Sequence, residues 1–308
     1  MKSLVFGSLN IDIIYRMNHI VTPGETEASA SVQKNAGGKG LNQAVALARA
    51  GAETYMAGCI GSDGGFLSEM LAQYGVNTDN VVRKEIPNGN AVIQVDANGQ
   101  NAIILFGGSN QSVTEEQIDE TFPRFSPGDL VLLQNEISCG CSVLMKAHAA
   151  GFKVAVNPSP ITEDLLRWPL ELADYLIVNE LEGAALAGTG NVREMISVFR
   201  EKYPRTNVVL TLGENGAYSI GEHFEKFEPA RRVPVVDTTA AGDTFTGYYL
   251  NSISGGETPE QALAIAAMAA SIAIGTRGAA CSIPARDQVL ARLSRQKTGA
   301  PEPSPLIL

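Results

Sequence analysis

Cysteine and histidine are scarce in this chain, and their scarcity argues against two kinds of chemistry. The four cysteines, Cys59, Cys139, Cys141 and Cys281, are too few for 308 residues to suggest a disulfide framework. Cys139 and Cys141 stand close together, but no second ligand pair follows at a zinc-binding spacing, and the three histidines, His19, His148 and His223, are scattered. Structural thiols in a reducing compartment are the expectation. Long apolar runs are missing as well: nothing approaches the ~20 residues that span a bilayer, and the segment from Met1 to Asn10 has no extended apolar core or small-residue cleavage site. The expected location is therefore the cytoplasm, with no membrane partner. Positive charge is in deficit, with a formal net charge of -10, which argues against nucleic acid because a phosphate backbone is bound chiefly by clustered Lys and Arg. No internal repeat is present.

What the chain does have is apolar material, 44% of residues against 18% charged, enough for one large core or for a core plus a small appendage. Short apolar segments alternate with helical patterns. Strands are expected at Leu4 to Phe6, Thr54 to Ala57, Leu130 to Gln134, Lys153 to Asn157, Tyr175 to Val178 and Asn207 to Thr211, with helices near Asn42 to Ala50 and Phe66 to Tyr74 and one ending at Gly151. Such alternation implies an α/β protein, a mainly parallel sheet covered by helices on both faces, with ligands at the carboxyl ends of the strands. Two regions break it. Ile11 to Tyr15 with Glu27 to Val32, and Ala91 to Asp96 with Ala102 to Phe106, read as strands joined by turns, the second pair around Asn98-Gly99. They are expected to form a small antiparallel β-lid, in segments of about 11–34 and 90–107, within one domain of residues 1–296. Helices are expected at Gly242 to Ser252 and Pro259 to Ile274, and residues 297–308, with Pro301, Pro303 and Pro305, as a flexible tail.

Four motifs carry chemistry. Asp237-Thr238-Thr239-Ala240-Ala241-Gly242-Asp243 reads as leaving an apolar strand and entering a helix through small residues, so that backbone N–H groups converge as an anion hole. Asp243, in the first turn, can either cap that helix or accept a proton from a hydroxyl. Gly37-Gly38-Lys39-Gly40-Leu41-Asn42-Gln43 precedes another helix, where it serves either as a tight turn or as a binding loop. It is no Walker A loop, since Gly40 stands where Ser or Thr is needed, and Gly7-Ser8-Leu9-Asn10 lacks the dinucleotide fingerprint. Asn10 and Asp12 share one face of a strand, suiting vicinal hydroxyls or a turn. Asn179-Glu180-Leu181-Glu182 follows a strand end, where acidic groups can hold the waters of Mg²⁺ or simply cap a helix.

Taken together and in order, these segments resemble the ribokinase-like, or PfkB, carbohydrate kinases, from Gly7 to about Pro284. Ala44, Gly51 and Gly61 stand at the family's distances after Gly37 to Asn42, and Pro23-Gly24-Glu25-Thr26, Asn157-Pro158-Ser159-Pro160 and Thr211-Leu212-Gly213-Glu214-Asn215-Gly216 are further landmarks. The resemblance implies a three-layer α/β/α fold with the lid, and ATP-dependent phosphorylation of a sugar such as a pentose. The sugar would be contacted by Asn10, Asp12, Gly38, Lys39, Gly40, Asn42 and Glu136, and deprotonated by Asp243 while the N–H groups of Ala240, Ala241, Gly242 and Asp243 take the developing charge. ATP would lie along Asn179, Thr211, Leu212, Gly213, Glu214, Asn215, Gly216 and Gly242, and Asn179 with Glu182 would organise Mg²⁺. In the ribokinase type a K⁺ ion is also implied, at Asp237, Thr239, Ala273, Thr276, Gly278 and Ser282. A homodimer through the lid is expected, because a small isolated sheet is marginal in water.

The sequence departs from the family at Leu41, Asn135, Asn88-Gly89-Asn90 and Ala267, changes that bear on which sugar and nucleotide contacts are made. A kinase for a nucleoside, a fructose-type sugar or a keto-deoxy sugar acid, or a sugar binder without catalysis, are the other readings.

Overall fold

The buried run Leu130-Val131-Leu132-Leu133, with each residue fully enclosed, marks a strand covered on both faces, and the computed structural model, which describes residues 1–298, places it in the interior of a nine-stranded sheet. In chain order the elements of this sheet are β1 (Lys2–Phe6), then, after the two lid strands β2 (Asn10–Arg16) and β3 (Ser31–Gly37) and helix α1 (Lys39–Arg49), β4 (Glu53–Ile60), α2 (Gly65–Gln73) and β5 (Asn77–Arg83). The lid strands β6 (Gly89–Val95) and β7 (Asn101–Phe106) and helix α3 (Glu115–Thr121) precede β8 (Leu130–Gln134), α4 (Gly140–Ala149) and β9 (Lys153–Asn157). There follow β10 (Tyr175–Asn179), α5 (Glu180–Ala187), α6 (Val192–Lys202), β11 (Asn207–Thr211), β12 (Ala217–Gly221) and β13 (Phe224–Glu228). Three helices, α7 (Ala241–Ser254), α8 (Pro259–Ala273) and α9 (Arg286–Thr298), close the described chain.

The order across the sheet is β13-β12-β11-β10-β9-β8-β1-β4-β5, parallel except for the two antiparallel strands β12 and β13. Side chains alternate between two cores, as the period of a strand requires: Leu130 and Leu132 pack with α1, α7 and α8, while Val131 and Leu133 pack with α3, α4 and α6. This is the three-layer α/β/α architecture expected from the alternating pattern. Residues at the carboxyl ends come level through strand register, with Gln134 opposite Asn157 and Asn179 opposite Thr211.

The lid is a separate four-stranded sheet ordered β3-β2-β6-β7. Its two hairpins are antiparallel, and they join along a parallel seam between β2 and β6. The expected strand at Glu27 to Val32 is displaced: β3 begins at Ser31 and runs through Gln33, Lys34 and Asn35 to Gly37, paired with β2 along its whole length. Its first four residues are exposed, so no apolar alternation marks it. The edge strands β5 and β13 escaped the sequence pattern because their residues are largely polar or half-exposed. Helix α9 was not anticipated either; it takes in Lys297 and Thr298, expected as tail, while residues 299–308 lie outside the described part.

Gly247 lets α7 lie against α1. A Cβ there would come within 2.8 Å of Ala46 C and of Leu47 N, and would also collide with the Ala46 methyl. Backbone cannot yield as a side-chain tip can, so Gly247→Ala is expected to destabilise the protein by about 1–3 kcal/mol, read from the shift in urea midpoint at unchanged m-value.

Candidate active site

Two helix N-termini, those of α1 and α7, face each other above the carboxyl edge of the sheet. Gly38, with φ at 94°, caps α1 without a side-chain bond, and a Cβ at Gly40 would lie 2.6 Å from Gly7 C. The glycines therefore seat the start of α1 on the turn between β1 and β2. Leu41 N donates to Ser8 O at 2.9 Å, and the Glu136 carboxylate accepts from Lys39 N at 3.2 Å and from the Ser8 hydroxyl. A carboxylate thus sits on the positive end of the helix.

The segment before α7 is not the strand expected. Val235 and Val236 are exposed, and the backbone N–H groups of Val236 and Asp237 both donate to Ile274 O, at 2.8 and 3.1 Å, tying the segment to the end of α8. Ala240 then takes the left-handed conformation, with φ at 59°, and no side chain caps the helix. The Ala241 N–H turns back to Thr238 O at 3.2 Å, so the N–H groups left without an acceptor inside the helix are those of Gly242 and Asp243. A Cβ on Gly242 would meet nothing within 4 Å. The protein's own packing leaves that space open.

Asp243 is clamped from α1. Asn42 Nδ2 donates to its Oδ2 at 3.1 Å and Gln43 Nε2 to its Oδ1 at 2.9 Å. Asp12 lies over Gly37, and burial, reinforced by the charges of Glu136 and Asp243, pushes its carboxyl up to about 7. Burial also raises Glu136, with Lys39 and the Ser8 hydrogen bond opposing. For Lys39 burial favours the neutral amine, but Asp243, Glu136 and Glu182 outweigh it and raise its pKa. Asn10 is buried, its Oδ1 accepts from Asn110 Nδ2 at 2.6 Å, and its Nδ2 has no hydrogen-bond acceptor among the described residues.

On the other side of Gly242 a groove of about 940 Å³ is lined by Thr211, Gly213, Glu214, Asn215 and Gly216, by Arg231, and by Ala267, Ala270 and Ser271 of α8. Leu212 does not line it but is buried in the core under α6. A smaller cleft of about 230 Å³ is lined by Lys39, Asn179, Glu182 and Asp243, and the two share Thr211, Thr238, Ala241 and Gly242. Asn179 and Glu182 form a reciprocal capping box on α5, at 2.8 and 3.0 Å. Asp237 accepts from Thr239 N and Oγ1 at 3.0 and 2.6 Å and from Gly278 N at 3.0 Å. Burial opposes these bonds, yet the Asp237 carboxyl is held below its usual range. Ala273 O accepts from Thr276 N at 3.0 Å in the turn after α8, and Ser282 is buried with its hydroxyl on Ala279 O at 2.8 Å.

Several residues of this network were not singled out from sequence: Ser8, Gln43, Asn110, Gln134 and Arg231. Gln134 had a legible signal, a polar residue ending a wholly apolar strand. Asn88 corrects the sequence reading, for it is buried and holds the lid root, with Oδ1 accepting from Gly61 N at 2.8 Å and Nδ2 donating to Leu9 O at 2.8 Å. Asn135 likewise turns its amide to Pro160 O and Thr162 Oγ1, at 2.8 and 3.1 Å.

A helix N-terminus without a cap, an anchored carboxylate and a lysine, set where two clefts join, suit the transfer of an anionic group between two bound molecules. The model of the pfkB family of carbohydrate kinases matches residues 1–286, and the chain belongs to that family. It is an ATP-dependent carbohydrate kinase. Ribokinase of Haemophilus influenzae is 35% identical over 300 residues, covering 93% of this chain and 96% of that protein. Ribokinase of Schizosaccharomyces pombe is 37% identical over 307 residues, covering 91% and 94%. The structure of Arabidopsis thaliana ribokinase complexed with ribose and ATP superposes with a TM-score of 0.83 at 31% identity, over 95% of this chain and 98% of that one.

Because Asp12 keeps its proton to about 7 in the folded chain but releases it near 3.8 when unfolded, its contribution to stability falls as pH rises through that window. Asp12→Asn removes the fall, so the stability difference between variant and parent should favour the variant more at pH 8 than at pH 5, as measured by urea midpoints at both.

Proposed function

We propose that the chain transfers the γ-phosphoryl group of ATP to a hydroxyl of a pentose, D-ribose being the substrate suggested by its relatives, with Asp243 as general base. The observation that carries this reading is the meeting of the two clefts at Gly242, with the Asp243 carboxylate clamped beside them. Asn10 would donate and Asp12 accept hydrogen bonds at the sugar's hydroxyls, with Gly38, Lys39, Gly40, Asn42 and Glu136 completing that side. Asp243 would take the proton of the attacking hydroxyl. The free N–H groups of Gly242 and Asp243, with Ala240 and Ala241 shaping the turn, would stabilise charge on the phosphoryl oxygens, and Lys39 adds a cation already surrounded by carboxylates. The glycine-rich turn from Gly213 to Gly216 and Thr211 would line the nucleotide path.

Asn179 and Glu182 would be the residues that hold Mg²⁺ near the ATP phosphates, where it would supply charge neutralisation. The capping box leaves Glu182 one carboxylate oxygen outside its backbone bond, and Asn179 the second lone pair of its Oδ1, acceptors that suit a site reached mostly through water rather than a cage of carboxylates. Asp237, tied to the Thr239 hydroxyl and the Gly278 N–H, would hold K⁺ together with Thr239, Ala273, Thr276, Gly278 and Ser282, whose carboxylate, hydroxyl and backbone carbonyl oxygens are hard ligands that fit it. Bound there, it would fix the turn leading into α7. A second copy docked on the lid is part of the same proposal, since Ile103, Ile104, Leu105 and Phe106 of β7 are all more than half exposed.

Three outcomes are expected. In a coupled ADP-release assay with pentoses, hexoses, sugar acids and nucleosides, turnover should be highest with D-ribose, and Asp243→Asn should lower kcat by about 10²–10⁴-fold. Turnover should rise when K⁺ replaces Na⁺; equal rates would remove the K⁺ assignment. Light scattering should give a dimer mass for the parent and a monomer mass for Ile104→Lys.

A further inference from the structure

Behind Asp243 lies a line of buried amides that the reaction as described does not use. Gln134, Asn157 and Ile177 belong to the adjacent strands β8, β9 and β10, and Gln134 and Asn157 end theirs. The Ile177 carbonyl is backbone and cannot turn, so Asn157, donating to it through Nδ2 at 2.9 Å, must present Oδ1 on its other side. That oxygen accepts from Gln43 Nε2 at 2.9 Å. Gln43 is fully buried, its Oε1 accepts from Gln134 Nε2 at 2.7 Å, and the same Nε2 reaches Asp243 Oδ1 at 2.9 Å. An amide nitrogen has two protons, and here each has one acceptor. A reversed Gln43 amide would set oxygen against oxygen at Asn157 and at Asp243, and nitrogen against nitrogen at Gln134.

We propose that Gln43 is a positioning residue for phosphoryl transfer, its amide polarity fixed through Asn157 by the Ile177 carbonyl so that it always donates to the Asp243 carboxylate. The proposal rests on Asp243 acting as general base. Gln43 touches neither sugar nor nucleotide in this role. It acts by holding Asp243 on one line of approach, against the freedom of a carboxylate on a first-turn residue. The other charged groups facing Asp243 are Lys39 on α1, Asp12 on β2 and Glu136 after β8, and none of them is altered by changing Gln43.

The test uses the full chain with D-ribose, ATP and Mg²⁺, comparing the parent with Gln43→Met, Gln43→Glu and Asp243→Asn. Gln43→Met should lower kcat by about 10–100-fold with sugar KM changed less than about threefold, because the carboxylate loses the donor that holds its direction while the sugar contacts stay. Gln43→Glu keeps the size and the bond from Gln134 but sets a second carboxylate beside Asp243 in place of a donor, so it should lower kcat at least as far with sugar KM again little changed, and it decides the matter if the Met variant does not fold. A kcat unchanged in the folded variants, or an effect confined to KM, would overturn the role given to Gln43. Should Asp243→Asn retain parental turnover, the general-base reading itself would fail, and the two failures are thereby told apart.

Discussion

The site depends on how closely α1 and α7 approach. Helix α1 supplies Lys39, Asn42 and Gln43, and α7 supplies Gly242 and Asp243, yet the two helices are separated by about two-thirds of the chain. Gly247 sets their distance by having no side chain where Ala46 and Leu47 pass, and Tyr248, buried beside it, locks the pair by donating to Arg49 O and Pro284 O. Short hydrogen bonds from amides to a carboxylate tolerate little displacement, so a wider interhelical gap would release Asp243 before it affected the cores.

Electrostatics gives the same region its second property. Asp243, Glu136 and Glu182 face Lys39, and Asp12 faces Glu136 and Asp243, a surplus of negative charge that burial makes costly. Part of the cost is avoided by keeping a proton on Asp12, and part is offset where the Glu136 carboxylate rests on the N-terminus of α1. Clefts lined in this way are strained toward partners that bring hydrogen-bond donors, which the hydroxyls of a sugar supply. The second helix N-terminus, that of α7, is left without any such cap and favours an anion.

The lid shows a different compromise. Its four strands are rooted in the main body by buried amides, Asn88 and Asn110, which bind backbone of the turn between β1 and β2. Farther out, both faces of β7 are open, with apolar side chains at consecutive positions. Anchoring by amides fixes where the lid begins, while its outer strand gains little from the core.

Sequence alone determined the alternation of strands and helices, because burial on two faces of a parallel sheet requires apolar runs that are visible locally, as at Leu130 to Leu133. It also located the two glycine-marked helix starts and, through their order, the family. It misplaced β3 and could not see β5 or β13, whose exposure removes the apolar period, nor α9. For the site, Asp243 read by itself first as a cap and only then as a base, and Glu182 as a cap or a metal ligand. Tertiary structure alone decided that Asn42 and Gln43, about 200 residues away, hold Asp243, that Asn88 serves the lid root, and that Leu212 turns into the core. The reason is physical: propensity and period are carried by neighbours in sequence, whereas the polarity of a buried amide is fixed by whichever backbone group the fold brings opposite it.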